Sequence, residues 1–291
     1  MKGIDDCRVC GKKAFLVGEK TGRFRPRPFR VYHCPSCRFT FVGDPEPDLG
    51  ALYDEAYYRG QGADPLVRYL DELERPETTV RRYEWAGLLR IARALTGRAS
   101  GLRWLDYGCG AGGLVRAARA AEHDALGWET GWIRARAAEK GVPMLDEAGL
   151  EAARGSFDLV TAVEVVEHLP DPAAELARMA ALLKPGGTLF CTTQNARPRR
   201  ADLLSWSYLV PEVHVSFFEP DTLALAFEKA GLRAERPGRL DGLEDVLRFK
   251  ILKNLRVAEA GGFERLLPWG PLTRLVDRVY RFQDMPVGRK K

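Results

Sequence analysis

Apolar and polar positions follow three different rhythms along the chain. Near the N-terminus, Lys13–Val17 and Phe29–Tyr32 alternate residue by residue, the period of half-buried strands. Between 80 and 95, Tyr83, Leu88, Ile91 and Leu95 recur at helical spacing, and Gly97 supplies a stop. From 102 onward, short apolar runs take turns with helical stretches. Strands are expected at Leu102–Tyr107, Ala125–Trp128, Val142–Leu145, Phe157–Val163, Gly187–Thr193 and Leu232–Arg236. Helices are expected at Leu114–Ala121, Gly131–Lys140 and Pro172–Leu183. Such alternation predicts an α/β fold with a doubly wound parallel sheet. Two amphipathic stretches, Leu243–Val257 and Pro271–Phe282, follow.

Punctuation divides this pattern. Gly43-Asp44-Pro45-Glu46-Pro47 ends the strand-rich segment, and Leu49–Tyr58 then carries an aromatic-rich turn. Four segments result: a ribbon over 1–43, a helical linker or cap over 44–98, an α/β core over 99–236, and a C-terminal helical segment over 237–291 whose last three residues read as a solvated tail.

Composition adds little until it is resolved along the chain. The 291 residues are 45% hydrophobic and 29% charged, which excludes global disorder, and the net charge is +5. That charge is +7 over residues 1–43, −8 over 44–235 and +6 over 236–291. Basic ends can meet phosphates, nucleic acid or a membrane surface, or can dock on the acidic centre of the same chain. No apolar run reaches the length of a membrane span and the first residues lack a signal-peptide core, so a cytoplasmic address is expected, with peripheral membrane contact left open.

Four of the six cysteines form Cys7-x-x-Cys10 and Cys34-x-x-Cys37. Two such knuckles can close a tetrahedral thiolate site around a structural zinc ion, with the alternating strands as the ribbon between them. Disulfides are the alternative, disfavoured in a reducing compartment. Gly11 follows the first knuckle, where the backbone turns under a sulfur; Arg38 stands at the matching place in the second. Cys109 and Cys191 read as buried thiols.

The first core strand runs into Asp106-Tyr107-Gly108-Cys109-Gly110-Ala111-Gly112-Gly113. Glycines here let a backbone approach a ligand at the carboxyl end of a strand. Glu129 ends the second strand, where a carboxylate can accept hydrogen bonds from ribose hydroxyls. The loop does not match the Gly-x-Gly-x-x-Gly of dinucleotide sites, which favours a nucleoside ligand without a pyrophosphate.

The segments LDYGCGAGG, GWET, FDLVTAVEVVEHLPDP, LLKPGGTLF and HVSFFEPDTLALAFEKAGL, in that order, resemble class I S-adenosylmethionine-dependent methyltransferases, which have a Rossmann-like sheet. Some bacterial members also carry an N-terminal four-cysteine zinc segment followed by a Tyr-rich stretch, similar to CRVC…CPSC and YDEAYYRG here. The resemblance implies that Asp106, Gly108, Gly110 and Gly112 line the methionine end of the cofactor and that Glu129 holds its ribose. It also implies that Asp146 or Glu147 lies near the adenine and that Val163 and Glu164 flank the site. A seventh, antiparallel strand is usual in the family, and the sequence shows none clearly.

Methyl transfer is an in-line displacement in which the protein positions the nucleophile and, for a hydroxyl or acidic carbon, supplies a base. Of four histidines, His33 abuts a zinc knuckle and His123 follows a helix; His168 and His214 follow the fourth and fifth strands and can face the cofactor. His214 is the stronger candidate base, in the insertion 194–220; His168 reads equally as a packing residue of its turn. Glu164, Glu167, His168 and His214 also resemble the divalent-metal set of small-RNA 2′-O-methyltransferases and some quinone O-methyltransferases. No Asn/Asp-Pro-Pro-aromatic motif follows the fourth strand, which excludes the amino-group chemistry of that motif. The expected acceptor is a small molecule (a sugar, nucleotide-sugar or other biosynthetic intermediate) methylated at O or C. RNA gripped by the basic ends and a non-catalytic cofactor-binding scaffold are the alternatives.

Overall fold

The computed structural model describes residues 3–47, 52–61, 68–281 and 284–291. The start of the aromatic-rich turn at Leu49 and the expected helix end at Phe282 lie outside them.

Strands β1 (Ile4–Asp6), β2 (Lys13–Thr21), β3 (Pro28–His33) and β4 (Thr40–Val42) form an antiparallel ribbon. Helices α1 (Tyr69–Glu74) and α2 (Arg82–Thr96) follow; α2 ends on Gly97, whose φ of 72° is the left-handed conformation that caps a helix. The α/β series is β5 (Arg103–Tyr107), α3 (Gly113–Ala120), β6 (Asp124–Trp128), α4 (Ile133–Glu139), α5 (Glu147–Ala152), β7 (Phe157–Val163), α6 (Pro172–Leu182) and β8 (Leu183–Thr192). Helix α6 starts sharply because Asp171 accepts from the Ala174 amide (3.0 Å) and Pro172 needs no amide partner. After the insertion come β9 (Ser216–Phe217), α7 (Pro220–Lys229), β10 (Leu232–Glu235), α8 (Leu243–Asn254), α9 (Trp269–Tyr280) and β11 (Val287–Lys290).

The core sheet has the order β10-β11-β8-β7-β5-β6. Strands β6, β5, β7 and β8 are parallel, as alternation with helices predicts, and β11 is antiparallel to both its neighbours. Two expectations are corrected here. The expected solvated tail, Arg289-Lys290-Lys291, includes the end of a strand inside the sheet, so the core does not close at 236. Its Gly288 packs against Leu232 and Phe227, which a side chain there would displace. The expected strand Val142–Leu145 is reduced to a single bridge, Gly127 to Met144. Pro143 has no N–H to extend the ladder, and Asp146 accepts from the Gly149 amide (2.7 Å) to start α5, a helix the apolar pattern did not reveal.

Helix α2 buries Leu88, Ile91 and Leu95 in one apolar cluster with Trp104 of β5 and Leu114 of α3. The ribbon is not a separate unit: β9, from the insertion, pairs antiparallel with β4 and completes its sheet. Phe29, Val31 and Val42 of the ribbon share one apolar cluster with Leu203, Trp206, Leu209, Val215 and Phe217 of the insertion. No helix among the described residues is long and apolar enough to cross a membrane.

Candidate active site

The loop after β5 is a cradle built by three left-handed glycines, Gly108, Gly110 and Gly112, with φ of 76°, 53° and 75°. The amides of Gly108 and Cys109 donate to Trp128 O (2.8 and 3.1 Å), which ties the loop to the end of β6. Glu129 finishes that tie. Its Oε2 accepts from the Gly110 amide (2.9 Å), and its Oε1 accepts from the amides of Thr130 and Gly131 (2.8 Å each). A carboxylate has about four lone-pair positions, so one acceptor position remains for a hydroxyl donor.

Asp106 sits at the carboxyl end of β5, nearly enclosed, and accepts from Thr161 Oγ1 (2.8 Å). Burial pushes its carboxyl up to about 7, against the Thr161 hydrogen bond. Tyr58 and Tyr69 close over the cradle: a Cβ on Gly131 would overlap the Tyr58 hydroxyl, and one on Gly110 would meet the Tyr69 ring at 2.9 Å. Trp132 stacks on Tyr58 with ring centroids 6.3 Å apart.

Asp146 and Glu147 are both exposed. Asp146 caps α5, and Glu147 pairs with Arg178 of α6. Val163 ends β7, and Glu164 follows with a left-handed φ of 55°. The Glu164 carboxylate accepts from Thr192 Oγ1 (3.0 Å) and pairs with Lys250 Nζ of α8 at 3.0 Å. Burial raises its pKa, but Lys250, with Lys253 and the Thr192 hydroxyl, outweighs burial and holds it at about 2.

The next turn brings together three of the four residues of the expected divalent-metal set. One ligand atom each from Glu167, His168 and His214 lies within 4.8 Å of the others; Glu164 is instead committed to Lys250, a correction to the four-residue set. Glu167 is buried, accepts from the Tyr208 hydroxyl (2.6 Å), and leaves Oε2 buried without a hydrogen-bond partner. Burial, then the charge of Glu164, pushes its carboxyl up to about 8. His168 Nδ1 lies 2.9 Å from Val213 O and 2.8 Å from the Tyr53 hydroxyl, and His214 Nδ1 lies 2.6 Å from Tyr208 O. A carbonyl only accepts, so each Nδ1 carries the proton and each lone pair is on Nε2. The two rings are 4.9 Å apart.

The other two histidines bond elsewhere in the fold: His33 bonds Thr40 Oγ1 (2.9 Å) and His123 accepts from the Leu102 amide (3.2 Å). In the ribbon, Cys7 and Cys37 sulfurs are 3.5 Å apart, as are Cys10 and Cys34, and all four lie within 4.8 Å of one another. A tetrahedron with Zn–S bonds of about 2.3 Å has edges of about 3.8 Å, so the sulfurs fit zinc. The knuckles repeat one backbone form: Gly11 N donates to Cys7 O and Arg38 N to Cys34 O, both at 2.8 Å, with φ of 72° and 66°.

A family model described as a methyltransferase domain matches residues 78–236, more than half of the chain. The chain belongs to this methyltransferase family. Among curated relatives, a ubiquinone biosynthesis O-methyltransferase of Bordetella avium is 32% identical over 182 residues, 56% of this chain and 71% of the relative. One from Aeromonas salmonicida is 33% identical over 180 residues, 56% of this chain and 76% of the relative. Among solved structures, the complex between the Haloferax volcanii Trm112 methyltransferase activator and a methyltransferase matches with a TM-score of 0.51 and 20% identity, covering 81% of this chain and 97% of that one; the likeness shows the fold. This chain is therefore an S-adenosylmethionine-dependent methyltransferase with a Rossmann-like core, and not a non-catalytic scaffold.

Sequence reading missed three residues of this methyltransferase's site region: Tyr53, Tyr208 and Lys250. The Tyr-rich turn was a signal for Tyr53. Lys250 gave none, because an interior lysine of an amphipathic helix looks like any solvated one.

Proposed function

We propose that this methyltransferase transfers a methyl group to an oxygen of a small-molecule acceptor held between the glycine cradle and the insertion 194–220. The observation that carries the reading is the histidine pair: His168 and His214, each oriented by an Nδ1 contact to a backbone carbonyl, bring one ring nitrogen each within 4.8 Å of a Glu167 carboxylate oxygen just beyond β7. S-adenosylmethionine, when bound, supplies an electrophilic methyl on a sulfonium. Asp106, Gly108, Gly110 and Gly112 would receive its methionine end, and Glu129 a ribose hydroxyl. Asp146 stands on the adenine side, where its capping role leaves it a wall rather than a grip, and Val163 and Glu164 flank the site. His214 Nε2 takes the acceptor proton, and His168, its ring 4.9 Å away and turned by Val213 O, lines the acceptor's side of the site. The ubiquinone biosynthesis O-methyltransferases among its relatives support an oxygen acceptor on a biosynthetic intermediate.

A second reading uses the same nitrogens. Metal-ligating histidines commonly donate their other N–H to a carbonyl, as both do here, and Glu167 Oε2 is an unsatisfied buried acceptor. Glu167, His168 and His214 would hold a divalent cation that polarises the acceptor hydroxyl. The four ribbon cysteines would hold a structural zinc ion. RNA is the weaker acceptor reading, because three of the ribbon cations are spent internally: Arg8 on Pro170 O (3.0 Å), Lys20 on Leu204 O (2.6 Å), and Arg30 on Asp44 (3.3 Å).

Transfer of labelled methyl from S-adenosylmethionine into a fractionated metabolite extract tests the reading. Label in a small molecule, lost in His214→Ala, is expected; label confined to RNA overturns it. Full activity after thorough chelation removes the divalent-metal reading.

A further inference from the structure

The insertion carrying His214 has two faces. Its inner face meets the site: the Val215 amide donates to Glu167 O (2.8 Å), and Val213 O receives His168. Its outer face meets the ribbon. Glu212, two residues before His214 and fully buried, accepts at Oε1 from the amides of Phe24 (2.7 Å) and Arg25 (3.0 Å) at the tip of the β2–β3 hairpin. Through Oε1 this buried carboxylate fixes the hairpin tip against the insertion, while its Oε2 is buried without a hydrogen-bond partner. The other ties run the same way. Lys20 reaches Leu204 O and the Val42 amide reaches Val215 O (2.9 Å); from α7, just past the insertion, Thr222 Oγ1 donates to Cys37 O (2.6 Å) inside the second knuckle.

We infer that Glu212 is a positioning residue, and that the four-cysteine ribbon braces the insertion so that His214 is held opposite His168. The brace serves the acceptor half of the site and not the cofactor half, which rests on β5, β6 and the segment carrying Tyr58 and Tyr69. The role of the histidines rests on the proposed function above; the brace does not, since it is read as order in a segment.

Hydrogen–deuterium exchange of peptides covering 203–217, with calorimetric S-adenosylmethionine binding on the same preparations, tests it. In Glu212→Ala, exchange in 203–217 is expected to rise about tenfold or more while peptides over 103–131 stay protected and cofactor affinity changes less than about twofold. Glu212→Gln, whose Oε1 still accepts both amides, restores protection, whereas Glu212→Met, which fills the same space with no acceptor, does not; restored protection in Glu212→Met would make the residue merely space-filling. Chelation of the full chain reproduces the Ala pattern. Unchanged protection of 203–217 in Glu212→Ala overturns the brace, as does parallel loss of cofactor binding. Metal analysis keeps the zinc reading separate: a zinc-free preparation that still responds to Glu212→Ala upholds the brace and sinks the zinc.

Discussion

Lys250 Nζ of α8 and Glu164 Oε1 just after β7 form a partly buried ion pair 3.0 Å long, so a helix outside the family match grips the edge of the site. Removing one partner of such a pair leaves a partly desolvated charge without its counter-ion and costs about 1–3 kcal/mol. Lys250→Met is therefore expected to lower stability by about that amount at pH 7, measured by denaturant unfolding. Glu164 is held at about 2 against an ordinary 4.5, so its contribution is complete above pH 4.5 and is lost as pH falls toward 2. The gap between wild type and variant should narrow at pH 3; a gap that stays constant counts against the pair.

Asp106 titrates near 7 because it is enclosed. A cationic ligand beside it favours the charged form, so cofactor binding should release a proton below pH 7, and affinity should rise with pH and level off above about 7. Calorimetry in buffers of different ionisation heat reads the release directly. Asp106→Asn should abolish both the release and the pH slope.

Glu129→Ala removes the acceptor of three backbone amides and is expected to weaken cofactor binding by about tenfold or more with the fold retained. Gly110→Ala should do at least as much, since its φ of 53° disfavours a side chain and the Tyr69 ring stands 2.9 Å from the added carbon. Equilibrium binding together with far-UV circular dichroism separates lost binding from lost fold.

His214→Ala should reduce turnover far more than cofactor affinity, by about 10²-fold or more if the imidazole acts as a base. Equal loss of both would make His214 structural.

Arg38 occupies a left-handed position where the first knuckle has Gly11. Arg38→Gly removes about 1–2 kcal/mol of backbone strain, and because the side chain is exposed little else changes. The variant ribbon should resist chelation at higher chelator concentration, followed by release of metal to a chromogenic indicator.

The parts legible in sequence were those whose chemistry is written at fixed local spacing. Cys7-x-x-Cys10, the Asp106–Gly113 loop and the Phe157–Val163 strand fall where the residue types require. Strand β11 was illegible because Val287-Gly-Arg-Lys is short, charged and glycine-bearing, and pairs only because β8 and β10 leave a slot of its width. The Glu164–Lys250 pair and the Glu212 tether were illegible because their partners are far apart in the chain. A lone glutamate carries no mark of the two amides that will surround it.

The position of β11 also orders the assembly of the protein in time. It lies between β10 and β8, yet about fifty residues separate it from β10 in the chain. Until those residues have been made and folded back, β8 presents a bare hydrogen-bonding edge and β10 has no strand beside it. A nascent chain that has emerged only as far as α7 therefore holds a complete glycine cradle on an unfinished sheet, a state in which chaperone occupancy of the β8 edge would matter most.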